Sequence, residues 1–448
     1  MDISAAQAAA PGAKRDVVPL SAWISLAILL CVTFLGFLDR QIISLMVKPI
    51  KAHLLLTDSQ IGVIQGAAFG FALLIFAIPF GYLADRFSRK LVLFGGVAIW
   101  SLAAAAGGLS DSMNTLMAAR IGVAIGEAAL GPTANAIIGD MFPRHKLGTV
   151  FGVFSCGTIL GGAAALGIGG AVLTWASDGM TVPILGHLDA WQIALIVTGL
   201  PGLLVAVMVL FIAEPKRAKR MESAVQAQAP WSEVFAFLRE NRAYLTCYIV
   251  GFGLLYLATA AQLAWLPTVL QRSYGWSIGQ TGAALGLFTA VFGIGGQLIN
   301  GMTVDRMLAK GRKDAHLRYY AMGAVVISLC AIVAPFSPNA LVFLALYAPI
   351  KFFMNFAAVQ HAALQLITPS ALRGRVTAVM LVIYGLIGGI AGPSITAFYT
   401  DFVFRDEAKL IYSLSLTFLT VAPIACVLFI IGMKPMREAV IRAEARGP

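Results

Sequence analysis

The chain has 448 residues, 59% of them hydrophobic and only 12% charged, and its mean hydropathy of +0.85 excludes an ordinary soluble globular protein. A net charge of +11 would suit a nucleic-acid partner if the cations formed one stripe, but they fall in short segments between apolar runs, which reads as membrane topology and argues against nucleic acid. Cys31, Cys156, Cys247, Cys330 and Cys426 all lie within apolar runs and show no metal-ligand spacing, so neither disulfides nor a metal site is expected.

Taken in order, twelve windows of about 20 or more mostly apolar residues are long enough to cross ~30 Å of hydrocarbon. They predict spanning helices near 20–47, 59–84, 90–109, 113–140, 147–174, 190–213, 243–270, 277–304, 317–336, 339–367, 374–400 and 408–433. The first twenty residues carry no cleavage site of the signal-peptide kind, so the first helix is expected to target the chain to the bilayer itself. With the N-terminus inside, inner segments hold 24 of the 32 Lys and Arg, outer segments 5 and the spans 3, which predicts that both termini are cytoplasmic.

Gly81 to Lys90 reads G-Y-L-A-D-R-F-S-R-K and predicts a tight charged loop between two spans. Its features return 220 residues later, where Gly301, Asp305 and Arg306 repeat Gly81, Asp85 and Arg86, followed by Lys310, Arg312 and Lys313. At the same offset Gln60, Gly62 and Gly66 fall on Gln280, Gly282 and Gly286, so one bundle is predicted twice. The expected organisation is an N-tail (1–19), a six-helix bundle (20–213), a linker (214–242), a second six-helix bundle (243–433) and a C-tail (434–448). In the linker Trp231, Val234, Phe235 and Leu238 predict a short amphipathic surface helix, and the basic C-tail predicts another. Glycines crowd the fifth helix at Gly157, Gly161, Gly162, Gly167, Gly169 and Gly170 and the eleventh at Gly385, Gly388, Gly389 and Gly392, which predicts close helix contacts.

Five charges lie inside spans: Asp39 and Arg40 in the first, Arg120 and Glu127 in the fourth, Lys351 in the tenth. At roughly 2.5–3.5 kcal/mol each they cost on the order of 12–17 kcal/mol before pairing, so they are functional candidates. Arg120 and Glu127 are seven residues apart and share a helix face. Counted from the outer helix ends, Asp39, Arg40 and Arg120 lie roughly 12–14 Å deep and Glu127 and Lys351 roughly 20–22 Å. An Asp39–Arg120 pair and an Arg40–Glu127 link are within reach if the helices adjoin. Two readings stand, permanent salt bridges or a network that opens on protonation.

The repeated loop resembles the one after the second and eighth helices of the major facilitator superfamily, and this resemblance covers nearly the whole chain. It implies an all-α membrane protein of twelve helices in two pseudo-symmetric bundles. It also implies a cytoplasmic gate of Gly81, Asp85, Arg86, Arg89, Asp140, Asp305 and Arg306, in which Asp85, Arg89 and Asp140 hold the bundles together when the outside is open. G-F-L-D-R at 36–40, R-I-G-V-A-I-G-E-A-A-L-G-P at 120–132 and G-D-M-F-P at 139–143 resemble the Spinster family of lipid-related facilitators. That likeness implies that Asp39, Arg40 and Glu127 form a proton-coupling and substrate-responsive network, while Arg120 matches the wider superfamily. Tyr256, Gln262, Asn355 and His361, with Lys351, lie on helices that line the superfamily's central cavity.

The function implied is proton-coupled secondary transport of an amphiphilic, anionic, lipid-like substrate of lysophospholipid or sphingoid-phosphate type by alternating access. A small organic anion or drug is the alternative substrate, and a non-transporting membrane sensor the alternative class. No phosphate-binding loop, His-Glu-x-x-His or Gly-x-Ser-x-Gly occurs, so no enzyme activity is expected. The expected setting is a monomer in the plasma membrane, the inner membrane of a bacterium, with protons, substrate and bilayer as partners and no cofactor beyond the proton gradient. The fifth helix lacks the superfamily's antiporter Gly-Pro pair, and nothing in the sequence names the direction of transport.

Overall fold

A computed structural model describes residues 18–143, 146–183, 186–213, 230–369 and 372–446. Most of the N-tail and the first part of the linker lie outside them. Among the described residues twelve helices are long and apolar enough to span a membrane: α1 (Leu20–Leu45), α2 (Asp58–Arg86), α3 (Arg89–Gly107), α4 (Met113–Met141), α5 (Thr149–Trp175), α6 (Ala190–Val209), α7 (Arg242–Ser273), α8 (Ile278–Ala309), α9 (Ala315–Phe336), α10 (Ala340–Gln365), α11 (Arg373–Phe404) and α12 (Glu407–Ala445). The short turns between them place the linker at one end of the molecule, here the linker face. At the other end, the hairpin face, a two-stranded antiparallel hairpin pairs Met180–Val182 with Gly186–Leu188.

The repeat seen in the sequence has a local cause. Thr57 Oγ1 accepts from the Gln60 N–H while Gln60 Oε1 accepts from the Thr57 N–H, and Ser277 and Gln280 make the same reciprocal pair. Gln60 and Gln280 are thus the third residues of two capping boxes that start α2 and α8, each cap contributing about 1 kcal/mol. One and two turns later, the repeated glycines meet the opposite bundle. A Cβ on Gly66 would lie 2.9 Å from the Ile390 carbonyl oxygen of α11, and one on Gly282 would overlap the Leu166 carbonyl of α5.

These contacts close the hairpin face. There a single apolar core runs from Leu38, Ile42, Leu45 and Ile50 into Trp265, Val269 and Leu270 of α7, across the bundle boundary. Towards the linker face the first bundle keeps its own core, built from residues such as Leu29, Val97, Trp100, Ile138 and Val209. Gly81, Gly152, Gly301 and Gly374 have no described atom within 4 Å of where a Cβ would sit, so the helices part at that end.

The close contacts expected of the glycines are present: in α5, Gly157, Gly161 and Gly169 pack on α1 within their own bundle and Gly170 meets α8, while Gly388 and Gly392 of α11 pack on α7. Two details differ from the sequence reading. The linker helix Trp231–Glu240 buries Val234 and Phe237, three residues apart, and leaves Trp231 and Phe235 exposed. No separate C-tail helix starts at 434: α12 continues unbroken because Met436, Ala439 and Val440 extend its buried face. The α5–α8 contact is testable. Cysteines replacing Thr174 and Gly279, whose positions touch, should cross-link readily. Adding Gly282→Val should suppress that cross-link severalfold by holding the helices apart.

Candidate functional site

Four charged side chains meet where α1 packs beside α4. Arg40 Nη2 donates to Glu127 Oε2, with the carboxylate 3% exposed and the guanidinium side chain 33% exposed. The link expected between these two is present. Asp39 and Arg120 make no carboxylate–guanidinium pair. Arg120 Nη1 donates instead to the Asp39 main-chain carbonyl at 3.4 Å, and Asp39 Oδ1 is buried without a hydrogen-bond partner among the described residues. Asp39 and Arg120 line one small cavity without their charged ends meeting.

Phe69 of α2 completes the group and was not marked by the sequence reading. The Arg40 guanidinium lies 4.7 Å from the Phe69 ring centroid and 4.9 Å from that of Phe37, and Arg120 lies 5.0 Å from Phe69. One aromatic ring thus touches both cations, a contact of about 0.5–2 kcal/mol for each. It follows directly on a π-helical turn, Val63–Ala68, that touches a second π-helical turn, Gly385–Ile390, in α11. Such turns recur at functional sites. Phenylalanines are common in spans, and only the fold singles this one out.

The second bundle holds its polar groups separately. Lys351 is buried and makes no ion pair among the described residues. Just beyond it α10 breaks between Phe353 and Ala357. Asn300 Nδ2 donates to the Phe352 and Asn355 carbonyls, Tyr319 donates to Asn300 Oδ1 at 2.8 Å, and Asn355 Nδ2 donates to the Lys351 carbonyl. A break in hydrocarbon persists when neighbours satisfy the freed backbone groups. Asn355 therefore has a structural task. Gln262 is buried with Oε1 unpartnered among the described residues, Tyr256 is partly exposed against Gly388, and His361 is exposed with Nδ1 on its own Ala357 carbonyl.

Among the described residues, the ion pair that the loop makes lies within the first bundle. Arg89 Nη1 donates to Asp140 and to the Ala136 carbonyl, which ties α3 to α4 inside the first bundle. Asp85, Asp305 and Arg306 are exposed at the linker face, and Arg86, exposed beside Gly81, lies 4.3 Å over the Tyr82 ring.

The bundles are joined at the other end by charges that the sequence reading left as outer-loop residues. Asp58, fully buried at the start of α2, accepts two bonds from Arg272 of α7 at 2.6 and 2.7 Å and one from Lys51. Lys51 also reaches Glu407 of α12 at 2.7 Å, and Asp401 accepts from the Ser59 N–H at 2.7 Å. The partners are 214 and 356 residues apart, and no local pattern joins them. Removing one member of a buried pair costs about 3–5 kcal/mol. Asp58→Asn should therefore widen the hairpin face, read as a longer spin-label distance across it and as faster labelling of cysteines placed beneath it.

Two pseudo-symmetric bundles, shut on one face and parted on the other around charges held inside the membrane, define an integral membrane transporter. The chain belongs to the Major Facilitator Superfamily, which matches residues 29–393, a family of transporters and not of enzymes. It is 29% identical over 248 residues to a sphingosine-1-phosphate transporter of Danio rerio, a match covering 53% of this chain and 46% of that one. It is 24% identical to a probable galactarate/D-glucarate transporter of Bacillus subtilis over 98% of this chain and 97% of that protein. Its fold is similar to the crystal structure of a bacterial homologue of the human lysosomal transporter Spinster, inward-facing and unoccupied. The TM-score is 0.73 at 21% identity, over 97% of this chain and 99% of that one.

Proposed function

We propose that this transporter moves an amphiphilic, anionic, lipid-like substrate by alternating access, driven by protons that bind at Glu127. The observation that carries the proposal is the buried Arg40–Glu127 pair. When Glu127 takes a proton its carboxylate charge is lost and the Arg40 guanidinium is released for an anionic head group, which competes for the same donors. Arg40, the more exposed partner, is the one that meets substrate, and the two rings beside it suit an amphiphile. The bias of Lys and Arg supports a cytoplasmic linker face in a plasma membrane, so the conformation described is inward-facing. The likeness to a sphingosine-1-phosphate transporter supports the lysophospholipid or sphingoid-phosphate class. A small organic anion is the second reading, favoured by the longer match to a sugar-acid transporter. In both readings Arg40 binds the anionic group, and the protein acts as a monomer.

Purified protein in liposomes tests the mechanism. Glu127→Gln should remain folded, bind and exchange substrate, and lose proton-driven accumulation. Arg40→Ala should impair both binding and accumulation, with binding weakened about tenfold or more, the worth of a charge-assisted hydrogen bond. Uphill accumulation by Glu127→Gln would remove Glu127 from the coupling role. Comparing a labelled lysophospholipid with a labelled sugar acid separates the substrate readings, and binding without flux under every gradient would be the mark of a sensor.

For the gate we infer that Asp85 stabilises the outward-facing state by joining the second bundle when the linker face closes, whereas Arg89 and Asp140 keep the α3–α4 corner in shape. Asp85→Asn should then raise labelling of a cysteine at Gly152 and lower it beneath the hairpin face. Unchanged labelling at both sites would count against the gate.

A further inference from the structure

At the linker face, outside both bundle interiors, the turn between α8 and α9 and the end of α12 enclose a cleft of about 410 Å³. Gly311, at φ +82°, folds the chain back so that Arg312 and Lys313 share the cleft with Arg318 of α9 and Arg437 of α12. Four cations thus face one carboxylate, Asp314, which is 2% exposed at the bottom. Arg318 reaches Asp314 at 2.9 Å and Arg437 Nε lies 3.8 Å from it, so the buried acid gathers the two guanidiniums. Lys313 pairs with Glu444, and Arg312 is exposed and makes no ion pair among the described residues.

The helix below the cleft is apolar on the same side. Counting from Arg318 by helical turns gives Met322, Val325, Leu329 and Val333, which are 52%, 48%, 58% and 50% exposed. From Met322 to Val333 the stripe runs about 16 Å, close to half of a ~30 Å hydrocarbon core. Ile441, four residues beyond Arg437, lines the cleft, and Ile430, seven residues before it, is exposed on the α12 face that points into the membrane. A soluble anion would need only the cations. A cationic cleft that continues into a one-leaflet apolar stripe matches a head group with its acyl chain.

We propose that this cleft binds an anionic phospholipid of the adjacent leaflet, with its phosphate among Arg312, Arg318 and Arg437 and its chain along Met322, Val325, Leu329 and Val333. The lipid would tie the α8–α9 turn to the end of α12. The site is distinct from the Arg40–Glu127 pair and does not depend on what the transporter carries.

Native mass spectrometry of the full chain in detergent tests it, with phosphatidylglycerol and phosphatidylcholine of equal chain length titrated separately. Phosphatidylglycerol should be retained preferentially. Each cation near a lipid surface contributes about 1 kcal/mol, so Arg312→Gln with Arg437→Gln should weaken that binding by about tenfold or more. Arg312→Gln alone, which breaks no described ion pair, should weaken it severalfold at unchanged thermal stability. Met322→Gln with Leu329→Gln should shorten lipid retention with all four cations in place. The proposal is overturned by equal retention of both lipids, by undiminished phosphatidylglycerol binding to Arg312→Gln, or by displacement of the lipid by millimolar inorganic phosphate, which would make the cleft a soluble-anion site.

Discussion

Hydrocarbon offers a buried charge no solvent, so a partner within the protein stabilises it, and two such partnerships organise this molecule. Arg40 and Glu127 meet inside the first bundle, whereas Asp58 meets Lys51 within that bundle and Arg272 across the boundary. Both members of the first pair sit on helices of the first bundle, whereas the bonds from Asp58 to Arg272 and from Lys51 to Glu407 cross the bundle boundary. A cost of about 3–5 kcal/mol for stranding one member of a buried pair is large enough to hold a two-state equilibrium on one side.

Helix α2 connects the two sites. It begins at Asp58 in the cross-bundle cluster, presents Gly62 and Gly66 to α11, and then places Phe69 against both Arg40 and Arg120. Within about three turns one helix touches the lock, the sliding contact and the ring beside the ion pair. The π-helical turn at Val63–Ala68 lies between them and faces a like turn in α11. Phe69 thus stands on a helix that meets both the charges of the first bundle and α11 of the second.

Internal duplication explains why the interface has two equivalent halves. The capping boxes at Thr57 and Ser277 start α2 and α8 in the same way, and glycines at matching distances from each cap face α11 and α5. The charges do not follow this symmetry. The ion pair belongs to the first bundle, while the second offers Lys351 beside a break in α10 that Asn300 and Tyr319 sustain.

Much of this was legible in the sequence, because the bilayer imposes a length and a polarity on every span: the twelve helices, the duplicated architecture and the intramembrane charges follow from apolar run length and a fixed 220-residue offset, whereas of the two ion pairs within reach only packing decided that Arg40–Glu127 forms and Asp39–Arg120 does not. The amphipathic linker helix was legible too, although not which of its apolar residues would be buried. What only the tertiary structure decided are the contacts between residues far apart in the chain. Asp58, Lys51, Arg272 and Glu407 read as ordinary loop charges and Phe69 as one span phenylalanine among many. Periodicity places a side chain on a face of its own helix. Which neighbour that face meets is set by the packing of all twelve helices together, and no local pattern in the chain records it.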